Sequence, residues 1–309
     1  MRDMTFAVVL SSRTAIWACA DRQLTVRQSA PHSSKAGVKI TCIETSDGMA
    51  LLTYAGIGRV HDTQVSRWVY RTLRGINMSL ERSLEHVWSA GQRRLLGHAR
   101  RAGTGHLFIA SAIRDGKHYV YVIDLLKQDA PQVIRIEPRT RTNVKIAIAG
   151  SGALVAQRYE TSRMRQLGRL VRQYERANIS AAFIASQLAA LNVTVSKRAR
   201  EAGDNTISAE SVVIHRHPKS KTRPAGRFWC FDDAGKPIND SEAVVPTVAC
   251  GFPVTDLGAM IMADLLRRMR TLPPNPTAEQ FAKAELMPDD ATLRAIGNAV
   301  PDTPDEQFR

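Results

Sequence analysis

The chain has 309 residues, 44% of them hydrophobic and 23% charged, with a formal net charge of +14. That content can bury a substantial core, while no window is apolar enough to span a membrane and the first line lacks an apolar run ending at a small-residue cleavage site, so the reading is cytoplasmic, with no membrane partner. Cys19, Cys42, Cys230 and Cys250 have no CxxC spacing and the eight histidines form no HExxH, so no metal, cofactor or disulfide framework is expected. His215 and His217 alternate along a strand and read as surface residues.

In chain order, strand-like runs at Thr5–Leu10 and Ala15–Asp21 are joined by a short polar loop, Ser11-Ser12-Arg13-Thr14. Val38–Glu44 and Met49–Tyr54 flank Thr45-Ser46-Asp47-Gly48, whose Asp-Gly signals a hairpin turn. Helices follow near Val60–Leu73, with Val60, Val65, Trp68, Val69 and Leu73 at helical spacing, and from Ser79 to before Gly103. Strands are predicted at His106–Arg114, His118–Leu125, Gln132–Glu137 and Lys145–Ala149, helices at Leu154–Arg176 and Ser180–Glu201, and strands at Glu210–His215 and Arg227–Phe231. This order is what two stacked antiparallel sheets with a helical layer outside each would produce.

Past Ser241–Thr255, a helix near Asp256–Arg270 carries Leu257, Ile261, Leu265 and Met269 at spacing four, which predicts a face packed on protein. Leu272-Pro273-Pro274-Asn275-Pro276 stops it, a short helix is expected after Thr277, and 301–309 reads as a polar tail. Residues 271–309 hold three basic and seven acidic residues, so the positive surplus lies upstream. Arg158, Arg165, Arg169, Arg172 and Arg176 mark one helix face; without interleaved aromatics or a nucleic-acid motif, this is read as a solvated or subunit-pairing face and not as a nucleic-acid surface.

The order Thr5, Asp21 sixteen positions later, Lys39-Ile40 and Gly56-Ile57-Gly58 resembles the start of a proteasome β subunit or of the bacterial peptidase HslV, members of the N-terminal-nucleophile (Ntn) hydrolases. The resemblance covers about residues 4–217. It implies an α+β fold, a four-layer αββα sandwich over 1–240, with 241–309 as a C-terminal helical extension.

The chemistry explains those residue types. A Thr hydroxyl is a weak nucleophile that its own α-amine can activate, and that amine's reference pKa, about 7.7–8, leaves it substantially unprotonated near neutrality. A lysine lowers the amine pKa and favours the alkoxide, an Asp fixes the lysine, and a glycine amide can bind the oxyanion. The resemblance therefore implies Thr5 as nucleophile and base, Asp21 and Lys39 as the electrostatic pair, and Gly58 as the oxyanion donor. It also carries Ser151, in Ile148-Ala149-Gly150-Ser151-Gly152, and Asp204, in Gly203-Asp204-Asn205-Thr206-Ile207-Ser208, toward the amine. Ser151 reads equally as a helix N-cap, and Ser208 stands one residue late for the family position.

Thr5 needs a free amine, yet Met1-Arg2-Asp3-Met4 precede it. Self-cleavage of that leader, or a start at Met4 with ordinary Met removal, would expose it; the second is preferred because Thr is small enough to permit the removal. The Asp21-to-Lys39 and Lys39-to-Gly58 segments are longer than the family usually shows, which makes Lys35 a competitor for Lys39. Asp62 is either a site acid or an ordinary acid of a first helical turn.

Two functions follow: a threonine-type peptidase or amidohydrolase acting on a peptide or amide substrate, and a non-catalytic proteasome-like scaffold with an unprocessed N-terminus. Both imply a homo-oligomer, and the resemblance leaves room for an ATPase or adaptor partner.

Overall fold

The computed structural model describes residues 5–24, 37–60, 63–127, 133–137, 144–218, 226–240 and 243–270, together with 273 and 277. The Met1–Met4 leader, Lys35, Asp62, the short helix expected after Thr277 and the polar tail lie outside the described residues.

The N-terminal hairpin joins β1 (Ala7–Ser11) to β2 (Ile16–Asp21), and its loop is closed by Ser12, whose amide and hydroxyl both donate to the Ala15 carbonyl at 3.0 and 3.1 Å. The second hairpin joins β3 (Ile40–Glu44) to β4 (Gly48–Ala55). Its turn residue Asp47 accepts from Thr45 Oγ1 at 2.8 Å and from the Leu80 amide at 2.9 Å, so it also caps a later helix. A two-stranded ribbon, β5 (Arg59–Val60) with β6 (Thr63–Gln64), precedes α1 (Val65–Leu73). The helix predicted from Val60 therefore starts five residues later, because the chain first reverses through this ribbon.

α2 (Leu80–Arg94) and α3 (Leu96–Arg101) replace the single helix predicted there, divided at Leu95. Strands β7 (Leu107–Arg114), β8 (Lys117–Asp124), β9 (Ile134–Ile136) and β10 (Lys145–Ala149) follow, with the predicted Asp115-Gly116 turn between β7 and β8 at φ 48° and 71°. The next predicted helix is also two: α4 (Gly152–Tyr159) and α5 (Thr161–Glu175) meet at Glu160, where φ −119° and ψ 19° leave the helical region. This break divides the arginine stripe, since Arg158 belongs to α4 and the others follow it. α6 (Ala181–Glu201) is capped by Ser180 Oγ, which accepts from the Phe183 amide at 3.2 Å. β11 (Ser211–Arg216), β12 (Gly226–Phe231), β13 (Pro237–Ile238), β14 (Thr247–Ala249) and α7 (Val254–Met269) complete the described chain.

The fold is mixed α+β, with two six-stranded sheets and seven helices among the described residues. One sheet runs β10-β1-β2-β11-β12-β13 and the other β14-β3-β4-β7-β8-β9. Within them only β14 pairs parallel, placing Val248 opposite Ile43, so the segment after 240 adds a strand to the second sheet.

Side chains alternate across each strand, and here both alternate sets are buried. Ala7, Val9, Ala18 and Ile214 of the first sheet share a core with Ile40, Leu51, Ile109 and Val120 of the second. Opposite neighbours Val8, Leu10, Trp17 and Val213 pack on Leu167, Ile184 and Leu188 of α5 and α6. Tyr54, Phe108 and Tyr121 pack on Trp68, Leu84 and Val87 of α1 and α2. Each fully buried Val, Leu or Phe contributes about 1.5–3 kcal/mol, which is why β1 reads as an unbroken apolar run.

One expectation needs correction. His215 is not a surface residue: it is 4% exposed, its Nε2 lies 3.2 Å from Tyr174 Oη, and its ring packs on Trp17. On α7, Leu257, Ile261 and Leu265 are half-buried and Met269 is exposed.

Candidate active site

β1 and β2 bring Thr5 and Asp21 together because Asp21 ends β2 where the chain enters β1. The Phe6 amide donates to Asp21 Oδ2 at 2.9 Å, and the Asp21 amide donates back to the Phe6 carbonyl at 3.2 Å. The Gln23 amide donates to Asp21 Oδ1 at 3.0 Å. Lys39, one residue before β3, reaches across from the other sheet; its Nζ lies 2.9 and 3.0 Å from the two Asp21 oxygens and 3.4 Å from Thr5 Oγ1.

All three are sealed from solvent, with Thr5 and Lys39 1% exposed and Asp21 not exposed. Burial, the largest influence, raises the Asp21 carboxyl above its ordinary range, while the Lys39 charge and the Phe6 and Gln23 amides oppose it. The lysine lies where it can favour negative charge on the Thr5 oxygen. Lys35 lies outside the described residues.

The turn after β10 closes the other side of Thr5. Register Ala7↔Ala149 delivers Gly150 onto the Thr5 carbonyl, so closely that a Cβ at position 150 would collide with that oxygen, and φ +88° there also favours glycine. The Gly152 amide approaches the same carbonyl at 3.4 Å, and a Cβ on Gly152 would stand 2.7 Å from Phe6. Between these glycines, Ser151 makes no side-chain capping bond; its Oγ is buried and has no hydrogen-bond partner among the described residues.

Gly58 lies in the turn between β4 and β5, and its carbonyl accepts from the Val65 amide at 3.1 Å and from Tyr54 Oη at 3.3 Å. Asp204 is occupied locally: its Oδ1 accepts from the Thr206 amide at 3.0 Å and from Thr206 Oγ1 at 2.5 Å. Among the described residues no hydrogen bond joins it to Thr5, Asp21 or Lys39. Its loop reaches the site through Ile207, whose Cδ1 a Cβ on Gly152 would meet at 3.0 Å. Ser208 turns away, accepting from the Glu210 amide at 3.1 Å.

Several supports were not foreseen. Asn192 Nδ2 of α6 donates to the Ser208 and Ala209 carbonyls at 3.0 and 2.7 Å, and Ser196 Oγ donates to the Ile207 carbonyl at 2.7 Å. His106 stacks on Tyr54 at 5.6 Å beneath the Gly56–Gly58 turn, where a Cβ on Gly56 would lie 2.8 Å from its Nδ1. Both His106 nitrogens are buried without a partner among the described residues, and desolvation lowers its pKa to about 3. Asn192 and Ser196, four apart, fall on the buried face of α6 among Leu188, Ala189, Val195 and Ala199, the signal that could have found them.

The resemblance finds no support among family models or curated proteins. No protein-family model matches the chain and no curated protein matches it. Solved structures that align with it include Anbu from Hyphomicrobium sp. strain MC1, at 12% identity over 72% of this chain and 87% of that one, TM-score 0.44. Anbu from Yersinia bercovieri, titled an ancestral beta-subunit, aligns at 10% identity over 89% and 100%, and the helical assembly of the Anbu complex from Pseudomonas aeruginosa at 13% over 89% and 99%, both at TM-score 0.44. Anbu is proteasome-like but a distinct family, and no family model or curated protein supports placement with HslV; that expectation is withdrawn. At these values the likeness carries no argument about activity.

No helix among the described residues is long and apolar enough to cross a membrane, and among them no group of three or more His, Cys, Asp or Glu could hold a metal ion.

Proposed function

We propose that the chain is a threonine-type peptidase or amidohydrolase on a four-layer αββα Ntn sandwich, with 1–240 as the hydrolase domain and 241–309 as an extension. The observation that supports it best is the sealed bridge in which Lys39 Nζ meets both Asp21 oxygens and, at 3.4 Å, Thr5 Oγ1. With Thr5 as the mature first residue, its α-amine takes the hydroxyl proton while Oγ1 attacks the scissile carbonyl. Lys39 stabilises the alkoxide and Asp21 holds the lysine; the Gly58 amide donates to the oxyanion, and the α-ammonium returns the proton to the leaving amine. Water then hydrolyses the ester by the same proton route. Ser151, whose buried hydroxyl lacks a partner among the described residues, is assigned to the α-amine, and Asp204 to the adjoining loop.

A homo-oligomer acting on peptide or amide substrates accompanies this reading, supported by apolar residues left exposed on α7; an ATPase or adaptor would then act on the assembly. Four free cysteines support a cytoplasmic setting. The scaffold reading is favoured by one observation, the 1% exposure of Thr5.

Purification from cells, intact-mass measurement and assay on a panel of amide-linked fluorogenic peptides decide between them. Mass beginning at Thr5, with turnover abolished by Thr5→Ala, is expected. A chain that retains Met1 or Met4 throughout and cuts nothing would overturn the hydrolase reading.

A further inference from the structure

Behind the candidate site lies a cavity of about 310 Å³ whose lining includes Arg22, Arg59 and Arg67, the acid Asp256, and the apolar Val38 and Val244. It is bounded by chain neighbours of the site: Arg22 follows Asp21, Val38 precedes Lys39, and Arg59 follows Gly58.

The charges do not close. Arg22, 5% exposed, is ion-paired to Asp240, yet its Nε is buried without an acceptor among the described residues. Arg59 makes no ion pair among the described residues, and its Nε is also buried and unsatisfied. Among the described residues that line the cavity, with Asp240 paired to Arg22, Asp256 is the one acid facing Arg59 and the exposed Arg67, which leaves one positive charge. A buried, unsatisfied guanidinium donor is costly and calls for an acceptor.

We infer that this cavity binds a carboxylate, held by Arg59 and Arg67 beside Arg22, with its carbon stem against Val38 and Val244. A single surplus charge suits a monoanion and disfavours a phosphate dianion, which would confront Asp256. Guanidinium and carboxylate match as planar partners. The carboxylate comes from a small free acid or from a peptide, and occupancy would brace the backbone that carries Asp21, Lys39 and Gly58.

The test is isothermal titration of the full chain with hexanoate, hexanamide, an N-acetylated tripeptide as free acid and as C-terminal amide, and inorganic phosphate. Each acid should bind at least about tenfold more tightly than its amide, as loss of a charge-assisted hydrogen bond implies, and Arg59→Gln should remove that preference. Tripeptide acid bound more tightly than hexanoate identifies a peptide source, and equal affinity a small free acid; both uphold the site. Equal binding of acid and amide, unchanged preference in Arg59→Gln, or preferential binding of phosphate overturns it. If Arg59→Gln does not fold, the acid-to-amide comparison on the unaltered chain decides. Binding does not require Thr5 chemistry, so failure here is distinguishable from failure to cut peptides.

Discussion

Gly150 rests directly on the carbonyl of Thr5: no side chain larger than hydrogen fits at 150 while Thr5 stays in place, and φ +88° makes the backbone unfavourable for any other residue. Gly150→Ala should therefore displace Thr5 from Lys39, cost about 1–3 kcal/mol of stability and abolish turnover. Gly116→Ala is the control. At φ +71°, with nothing within 4 Å of its added Cβ, it carries only the backbone penalty and should keep full activity. Urea unfolding and peptide turnover on both variants check this, and equal activity in the two would count against Thr5.

Lys39→Ala should lower kcat by roughly 10²–10³, the usual cost of removing a positioned electrostatic group. Because Lys39 and Asp21 are both sealed, it should also cost about 3–5 kcal/mol by leaving a buried carboxyl unpaired. Lys39→Met combined with Asp21→Asn removes both charges, so it should recover much of that stability while staying inactive. Lys35→Ala should retain turnover. Activity lost in Lys35→Ala and kept in Lys39→Ala would shift the assignment of this loop.

Acid should weaken the fold through two buried histidines, His106 and His215. Burial holds both His106 and His215 to about 3, well under the ordinary imidazole value of 6.5. A depressed histidine is neutral when folded, so between pH 6.5 and 3 the unfolded chain binds more protons and stability falls as pH falls; above 6.5 the contribution is complete. From pH 7.5 to 5.5 each should cost about 1.4 kcal/mol. Unfolding of the unaltered chain and of His106→Phe at both pH values measures this. The variant should show a loss smaller by that amount, and an identical pH dependence would refute the assignment.

The end of β2 and the turn after β10 meet Thr5 because hairpin register converts sequence spacing into position, β1 pairing with both β2 and β10, whereas Lys39 comes from the other sheet and only the resemblance pointed to it. Nothing comparable fixes Asp204, which bonds its own loop, or separates α4 from α5 at Glu160. His106 was hidden for another reason. A lone polar residue opening an apolar strand gives no periodic signal, and its burial beneath Gly56 depends on a close approach between two turns distant in sequence. His215 misled because alternation predicts which face a side chain takes but not whether a helix covers that face.

The last prediction concerns α7. Its first turn is anchored by polar contacts: Thr255 Oγ1 accepts from the Thr247 amide at 2.7 Å and donates to the Val245 carbonyl at 3.1 Å, and the Asp256 amide donates to Tyr70 Oη at 3.2 Å. Beyond that turn Met262, Leu266 and Met269, spaced four and three apart, are 54%, 51% and 39% exposed, an apolar stripe that one chain leaves open. At about 25 cal/mol per Å² such a stripe gains by being covered, and a second copy of the chain offers the same surface. Truncation after Gly258 keeps the anchoring turn and removes the stripe, and Met262→Lys with Leu266→Lys keeps the helix and spoils it. By light scattering both should yield a smaller, folded particle than the intact chain. An unchanged oligomer in both would refute an intersubunit role for α7, and aggregation of the truncated chain alone would assign the helix to its own domain's core.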